Sequence, residues 1–171
     1  MDKFIFDKYC KGLETFAKAR QIQQLVTEIL RDLVSKEFVK VYGFVVMPNH
    51  VHILWELQAM NGREMPHASF NKATAHQIVK DLKANHPLVL AHFKVDEKER
   101  QFRIWQRDPL AVVMDNKRKF EQKLNYIHNN PLAERWNLAK TPHDYFCSSA
   151  SYYEKGIDHF SFLTHYQERF A

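Results

Sequence analysis

Two short stretches of this 171-residue chain hold side chains whose types and spacing suit chemistry on a phosphate ester. In Pro48-Asn49-His50-Val51-His52-Ile53-Leu54 two histidines stand one residue apart. On an extended chain, alternation puts His50, His52 and Leu54 on one face and Val51, Ile53 and Trp55 on the other. The second face suits packing on helices. The first sets two imidazoles side by side, within reach of one metal ion. On a strand taken alone such a pair is more often two satisfied histidines, and two ligands still need a third. The other stretch runs from Lys117 to Asn130. Phe120, Leu124 and Ile127 recur there at i, i+4 and i+7 as a buried stripe. Tyr126 and Asn130, four apart, sit one above the other on a different face. By itself a helix tyrosine beside an amide is ordinary protein surface.

The two stretches gain meaning together. Attack on a phosphodiester needs a nucleophile and a cation that neutralises and polarises the phosphate. A phenol titrates at about 10, so at neutrality it needs help from a metal, a base or a local field. Two imidazoles and one amide oxygen are neutral before a metal binds. A divalent cation held by them keeps its charge for the phosphate, and Mg²⁺ or Mn²⁺ would retain open positions for DNA oxygens and water.

The elements that must position these residues are legible from periodicity. Ile22, Leu25, Val26, Ile29, Leu30 and Leu33 predict an amphipathic helix from about Glu14 to Glu37. Phe38 to Val46, rich in valine and aromatics, reads as a strand; Met47-Pro48-Asn49 is a turn; Val51 to Leu57 returns as a second strand. Gln58 to His67 reads as a polar loop. Ser69 is the expected N-cap of a helix whose shared face holds Ala75, Ile78, Val79 and Leu82. Gln101 to Gln106 and Leu110 to Met114 read as short strands. Asp115 or Asn116 would cap a third helix ending near Asn130, before Pro131. This order predicts one α+β domain over 1–171, its core about 14–130, followed by a tail at 131–171 of loops and short elements. The expected architecture is a ferredoxin-like antiparallel sheet with helices on one face. Its first strand, for which only Lys3 to Phe6 is available, is expected to be short or missing.

Composition sets outer bounds. The chain is 45% hydrophobic and 26% charged, as soluble globular domains are. Of its net charge of +5, most falls between Lys98 and Lys123, where eight basic residues face four acidic ones. A basic field of that kind attracts phosphate backbones, although such runs are usually solvated helix faces. Arg103, Trp105 and Arg107 share one face of their expected strand, an aromatic between cations that suits base stacking and phosphate contact; a core role for Trp105 is the alternative. Lys117, Arg118, Lys119 and Lys123 lead into the Tyr126 helix as further candidate DNA contacts. Cys10 and Cys147 form no CxxC pair, and the sequence has neither an apolar run of membrane-spanning length nor a signal-peptide pattern. The expectation is a cytoplasmic protein with no membrane partner.

The stretch Val46-Met47-Pro48-Asn49-His50-Val51-His52-Ile53-Leu54 resembles the HUH motif of the single-tyrosine transposases, and Tyr126-Ile127-His128-Asn129-Asn130-Pro131 resembles the tyrosine motif of their REP-associated branch. Ile104-Trp105-Gln106 and Tyr145-Phe146-Cys147-Ser148-Ser149-Ala150 also look like family landmarks, so the resemblance covers roughly Val39 to Tyr153. It implies His50, His52 and Asn130 as ligands of Mg²⁺ or Mn²⁺. In the relatives from classical insertion sequences, glutamine is usual at the third place. Tyr126 would attack single-stranded DNA that folds into hairpins, leaving a 5′-phosphotyrosine link and a free 3′-hydroxyl. His128, two residues past Tyr126, faces elsewhere and is left out of the metal shell. Monomers and helix-exchanged homodimers both occur among such proteins. Two other readings stay open: a DNA-hairpin-binding protein without catalysis, and a hydrolytic metal nuclease without a covalent intermediate.

Overall fold

Alternation in Val39–Val46 and His50–Leu57 is of the kind that gives a two-sided sheet, and both segments are strands buried on both faces. The computed structural model describes residues 3–9, 19–98, 100–106 and 110–171. In chain order they form β1 (Lys3–Tyr9), α1 (Ala19–Ser35), β2 (Val39–Val46), β3 (His50–Leu57), α2 (Pro66–Asn85), the single turn α3 (Pro87–Leu90), β4 (Lys94–Glu97), β5 (Arg100–Phe102), β6 (Leu110–Val113), α4 (Lys117–Asn129) and α5 (Ala150–Lys155). The four long-range strands make one antiparallel sheet in the order β2-β3-β1-β6. Two β-α-β units, β1-α1-β2 and β3-α2-β6, interleave to give that order, which is the ferredoxin-like topology expected. The β4–β5 ribbon stands apart as a two-stranded insertion between α2 and β6.

The first strand is neither missing nor marginal. It runs for seven residues, and it pairs with β3 from Lys3↔Glu56 to Tyr9↔His50 and with β6 from Phe4↔Val113 to Asp7↔Leu110. A strand flanked on both sides can be short and still satisfy its backbone, and so the sheet loses nothing. The second helix begins at Pro66, not after Ser69. Proline takes the first turn, where its missing N–H costs nothing, and Met65 is the N-cap without a side-chain bond. Ser69 instead sits inside the helix and bonds Asn61 and Glu64. The strand expected at Gln101 to Gln106 ends at Phe102.

Helices α1 and α2 cover one face, as expected: Val26, Leu30, Phe70, Ile78 and Leu82 meet Val41, Phe44, Ile53 and Trp55. The other face is also covered. Phe120, Leu124 and Ile127 of α4 lie on Tyr42, Val45 and Leu54. Gly43 permits that approach. It lies at a register irregularity of β2, and a Cβ there would stand 2.5 Å from Leu124 Cδ1. Gly43→Val is expected to destabilise by about 1–3 kcal/mol through overpacking, read as a lowered thermal midpoint. Leu124→Ala in the same chain should recover part of that loss, and full additivity of the two would show that Gly43 has another role.

The last forty residues are not a tail laid over the domain. Phe160 and Phe162 enter the first core cluster, and Tyr145, Tyr153, Tyr166 and Phe170 pack on the second. The open edge of β2 receives backbone bonds from this segment: Val46 donates to Cys147 O at 2.9 Å, Ser149 to Phe44 O at 3.0 Å and Thr164 to Val41 O at 2.9 Å. This closes an edge that would otherwise pair with another chain. Among the described residues no helix is long and apolar enough to cross a membrane.

Candidate active site

Strand β3 occupies the interior of the sheet, between β2 and β1, so its pleat is fixed from both sides: His52 stands between Val45 and Asp7. That pleat aims His50 and His52 away from the α1–α2 core and towards α4. Both imidazoles are buried, with ring centroids 4.8 Å apart and planes nearly perpendicular. Asn116 caps α4 by accepting from Lys119 N at 3.2 Å, and Asn130 ends the helix. Its buried side-chain amide lies 3.2 Å from His50 Nε2 and 2.9 Å from His52 Nε2. Residues 78 and 80 positions apart in sequence therefore converge on one point.

The Asn130 amide nitrogen faces both imidazole Nε2 atoms. Rotation of the amide exchanges its nitrogen and oxygen at the same place. Neighbouring ligands of a Mg²⁺- or Mn²⁺-like ion are separated by roughly 3 Å when each bond is roughly 2.1 Å, which the observed separations match. The donor set fits such an ion: two neutral imidazoles and one amide oxygen. Asn49 prepares one of them. Its Oδ1 is 2.6 Å from His50 Nδ1, so the Nδ1–H donates there and the Nε2 lone pair faces the site. Asn49→Ala should weaken Mn²⁺ binding about 10- to 100-fold, measured by titration of the paramagnetic ion. An unchanged affinity would remove Asn49 from the account.

Tyr126 stands beside the imidazole pair. It is 52% exposed, and its ring lies 5.8 Å from that of His52 in the same chain. By contrast, burial above all pushes the phenols of Tyr42, Tyr145 and Tyr153 well up from their ordinary value. Tyr145 and Tyr153 serve as struts: their hydroxyls donate to Val46 O and Tyr42 O. Lys123 Nζ stands 4.8 Å above the Tyr126 ring. Lys117, Arg118 and Lys119 are exposed on the first turn of α4.

Of the expected Arg103–Trp105–Arg107 face, Trp105 does not take the exposed place foreseen for it. Trp105 is 7% exposed, and its indole N–H donates to Thr74 Oγ1 at 2.7 Å. This puts it in the core rather than under a DNA base. The chain leaves the ribbon after Phe102, and Arg103 pairs with Glu97. Arg107 lies outside the described residues.

Several participants escaped the sequence reading. Trp136 places its ring 5.8 Å from His50 and carries the Arg135 guanidinium 5.4 Å from its own centroid. His128 is turned away from the imidazole pair, as expected, but it has a task. Its Nε2 is 2.7 Å from Ser149 Oγ, which also accepts from Phe44 N at 2.9 Å. The last turn of α4 is thereby bolted to β2. Burial pushes His128 down to about 4. The unfolded chain then binds this proton more readily than the folded one, so stability should fall by up to about 3 kcal/mol as pH drops from 6.5 towards 4. Urea unfolding at pH 7 and pH 5 would show part of this loss, and His128→Gln should remove it.

No protein-family model matches the chain, nor does any curated protein. Among solved structures it is similar to that of the REP-associated tyrosine transposase bound to a REP hairpin, with a TM-score of 0.61 and 15% identity over 95% of this chain and 86% of that one. At that identity the likeness is one of fold, and the chain has the fold of that transposase.

Proposed function

We propose that this protein is a metal-dependent nuclease and strand transferase of the tyrosine-transposase kind, acting on hairpin-forming single-stranded DNA. The observation that carries this reading is the meeting of His50, His52 and Asn130 beside the half-exposed Tyr126 of the same chain. The fold shared with a transposase bound to a DNA hairpin supports it further.

His50, His52 and Asn130 would hold a divalent cation, Mg²⁺ or Mn²⁺, which when bound neutralises and polarises the scissile phosphate. The Tyr126 oxygen attacks phosphorus, and its proton passes to solvent. The bond from phosphorus to the 3′-oxygen breaks, and that oxygen leaves as a 3′-hydroxyl after taking up a proton. The DNA 5′-phosphate stays esterified to Tyr126. Ester energy is conserved, so a 3′-hydroxyl can reverse the step without ATP. Lys123, Lys117, Arg118 and Lys119 line the approach along α4 and supply the positive field. Tyr126 serves its own chain's site, so a monomer suffices.

The test mixes the protein with end-labelled hairpin oligonucleotides and Mn²⁺, then separates products under denaturing conditions. A protein-linked band that EDTA abolishes is expected. Binding without an adduct under any metal would favour a hairpin-binding protein that has kept only the scaffold.

A further inference from the structure

The side of the domain turned away from Tyr126 carries a surface that the DNA chemistry does not use. Helices α1 and α2 cover the sheet face opposite to α4. Between their outer sides run two adjoining hollows of about 180 and 540 Å³, which share Leu25 and Gln77. Ile22, Leu25 and Ile29, at i, i+3 and i+7 of α1, form one wall, and Ala73 and Ile78 of α2 help to form the other. Ile22, Leu25 and Ile29 are only partly buried, so each leaves apolar surface in water. A continuous stripe of that kind, rimmed by polar residues, is what marks an interaction site.

The rim is acidic, in a chain whose net charge is +5. Glu28, Asp32, Glu64 and Asp81 edge the hollows, against Lys72 and His76. Lys72 pairs with Glu64 at 3.0 Å, and Asp32 with Lys36 at 2.7 Å. Glu28 and Asp81 accept from the uncharged amides of Gln24 and Asn85, at 2.8 and 2.7 Å, and neither forms an ion pair with a described residue. This combination narrows the occupant. An acidic rim repels phosphate backbones, so nucleic acid does not fit. A second copy placed groove on groove would bring acidic rims face to face. Nor can a second copy offer its basic α4, because the apolar stripe of that helix, Phe120, Leu124 and Ile127, is committed to its own sheet. Along α1 the hollows run from Gln21 to Asp32, roughly 17 Å or about three turns of a docked helix.

We propose that the groove between α1 and α2 docks an amphipathic helix of a partner protein, with an apolar stripe bordered on both sides by lysines or arginines. The apolar side chains fill the hollows against Leu25, Ile29 and Ala73, and the basic borders meet Glu28 and Asp81. Burial of the stripe supplies the affinity, while the charges speed encounter and turn away acidic partners. The groove lies across the sheet from His50, so such a partner and DNA can be held at the same time.

The probe is a fluorescein-labelled synthetic helix of about three turns, with leucines at i, i+4 and i+7 and lysines on both borders. Its anisotropy is measured with the full chain. One control peptide carries glutamates in place of the lysines, and another keeps the composition but scatters the leucines around the helix. The lysine peptide is expected to bind at least about tenfold more tightly than either control, and to shift the methyl resonances of Ile22, Leu25 and Ile29. Glu28→Lys combined with Asp81→Lys, both outside the core, should weaken it about tenfold and turn the preference towards the glutamate peptide. The thermal midpoint of this variant shows that it is folded, and the methyl shifts of the wild-type chain locate the site without any substitution. Equal binding of the three peptides, methyl shifts confined to other residues, or an affinity untouched by the charge reversal overturns the proposal. So does a dimer in sedimentation that the charge-reversed chain loses, because the groove would then belong to a second copy.

Discussion

Tyr126→Phe will lower the yield of protein–DNA adduct at least about a thousandfold and leave hairpin affinity nearly unchanged. The size follows from removing the oxygen that, in the proposed mechanism, forms the ester. Nucleophiles acting as part of a unit typically cost this much or more when deleted. Affinity should survive because the phenylalanine keeps the ring beside His52 and beneath Lys123. The fold should survive too, since the Tyr126 side chain is half-exposed and outside the core. Quantitative gels and fluorescence anisotropy on the same oligonucleotide check both halves. Cleavage that persists in Tyr126→Phe would mean that water is the nucleophile, which would make the protein a hydrolytic nuclease.

Asn130 should give the second large effect, and its two variants should diverge. Asn130→Ala removes one of three converging donors and leaves two buried imidazole nitrogens without their present partner. Mn²⁺ affinity is expected to fall by at least about a hundredfold, beyond what a supporting residue would cost, and adduct formation should fall with it. Asn130→Asp supplies an oxygen of the same reach with a negative charge. It should bind Mn²⁺ about tenfold more tightly, yet form adduct more slowly, because the ion's charge is partly spent on the protein rather than the phosphate. Metal titration followed by single-turnover trapping separates affinity from rate. If both variants lost activity without any change in metal binding, Asn130 would be a scaffold residue. His50→Ala is expected to follow Asn130→Ala.

The residues on which these predictions rest were readable because each depends on a local period. Two-residue alternation gave the face shared by His50 and His52, and the 3.6-residue period separated Tyr126 and Asn130 from Phe120, Leu124 and Ile127. What periodicity cannot carry is how one element meets another. The central place of β1 depends on pairing with β3 and β6, partners distant in sequence. Trp105 looked like a stacking residue because its neighbours are cationic, but Thr74, 31 residues earlier, supplies the hydroxyl that makes burial of the indole N–H acceptable. Pro66 overrode the cap expected at Ser69, since a proline at the first helical position is as strong a start signal as a hydroxyl before it. Arg135 and Trp136 follow the helix in a segment without period, so nothing local pointed to them. Asn49 could have been found: an amide directly before a candidate metal histidine is a natural partner for its second ring nitrogen.

The most direct measurement is mass spectrometry of the trapped adduct after protease and nuclease digestion, with the reaction run in ¹⁸O-water. The account predicts one modified peptide, containing Tyr126 with a 5′-linked nucleotide, and no ¹⁸O in the ester. A nucleotide attached to any other residue, or cleaved DNA bearing ¹⁸O at its new 5′-phosphate with no modified peptide at any time, would contradict it.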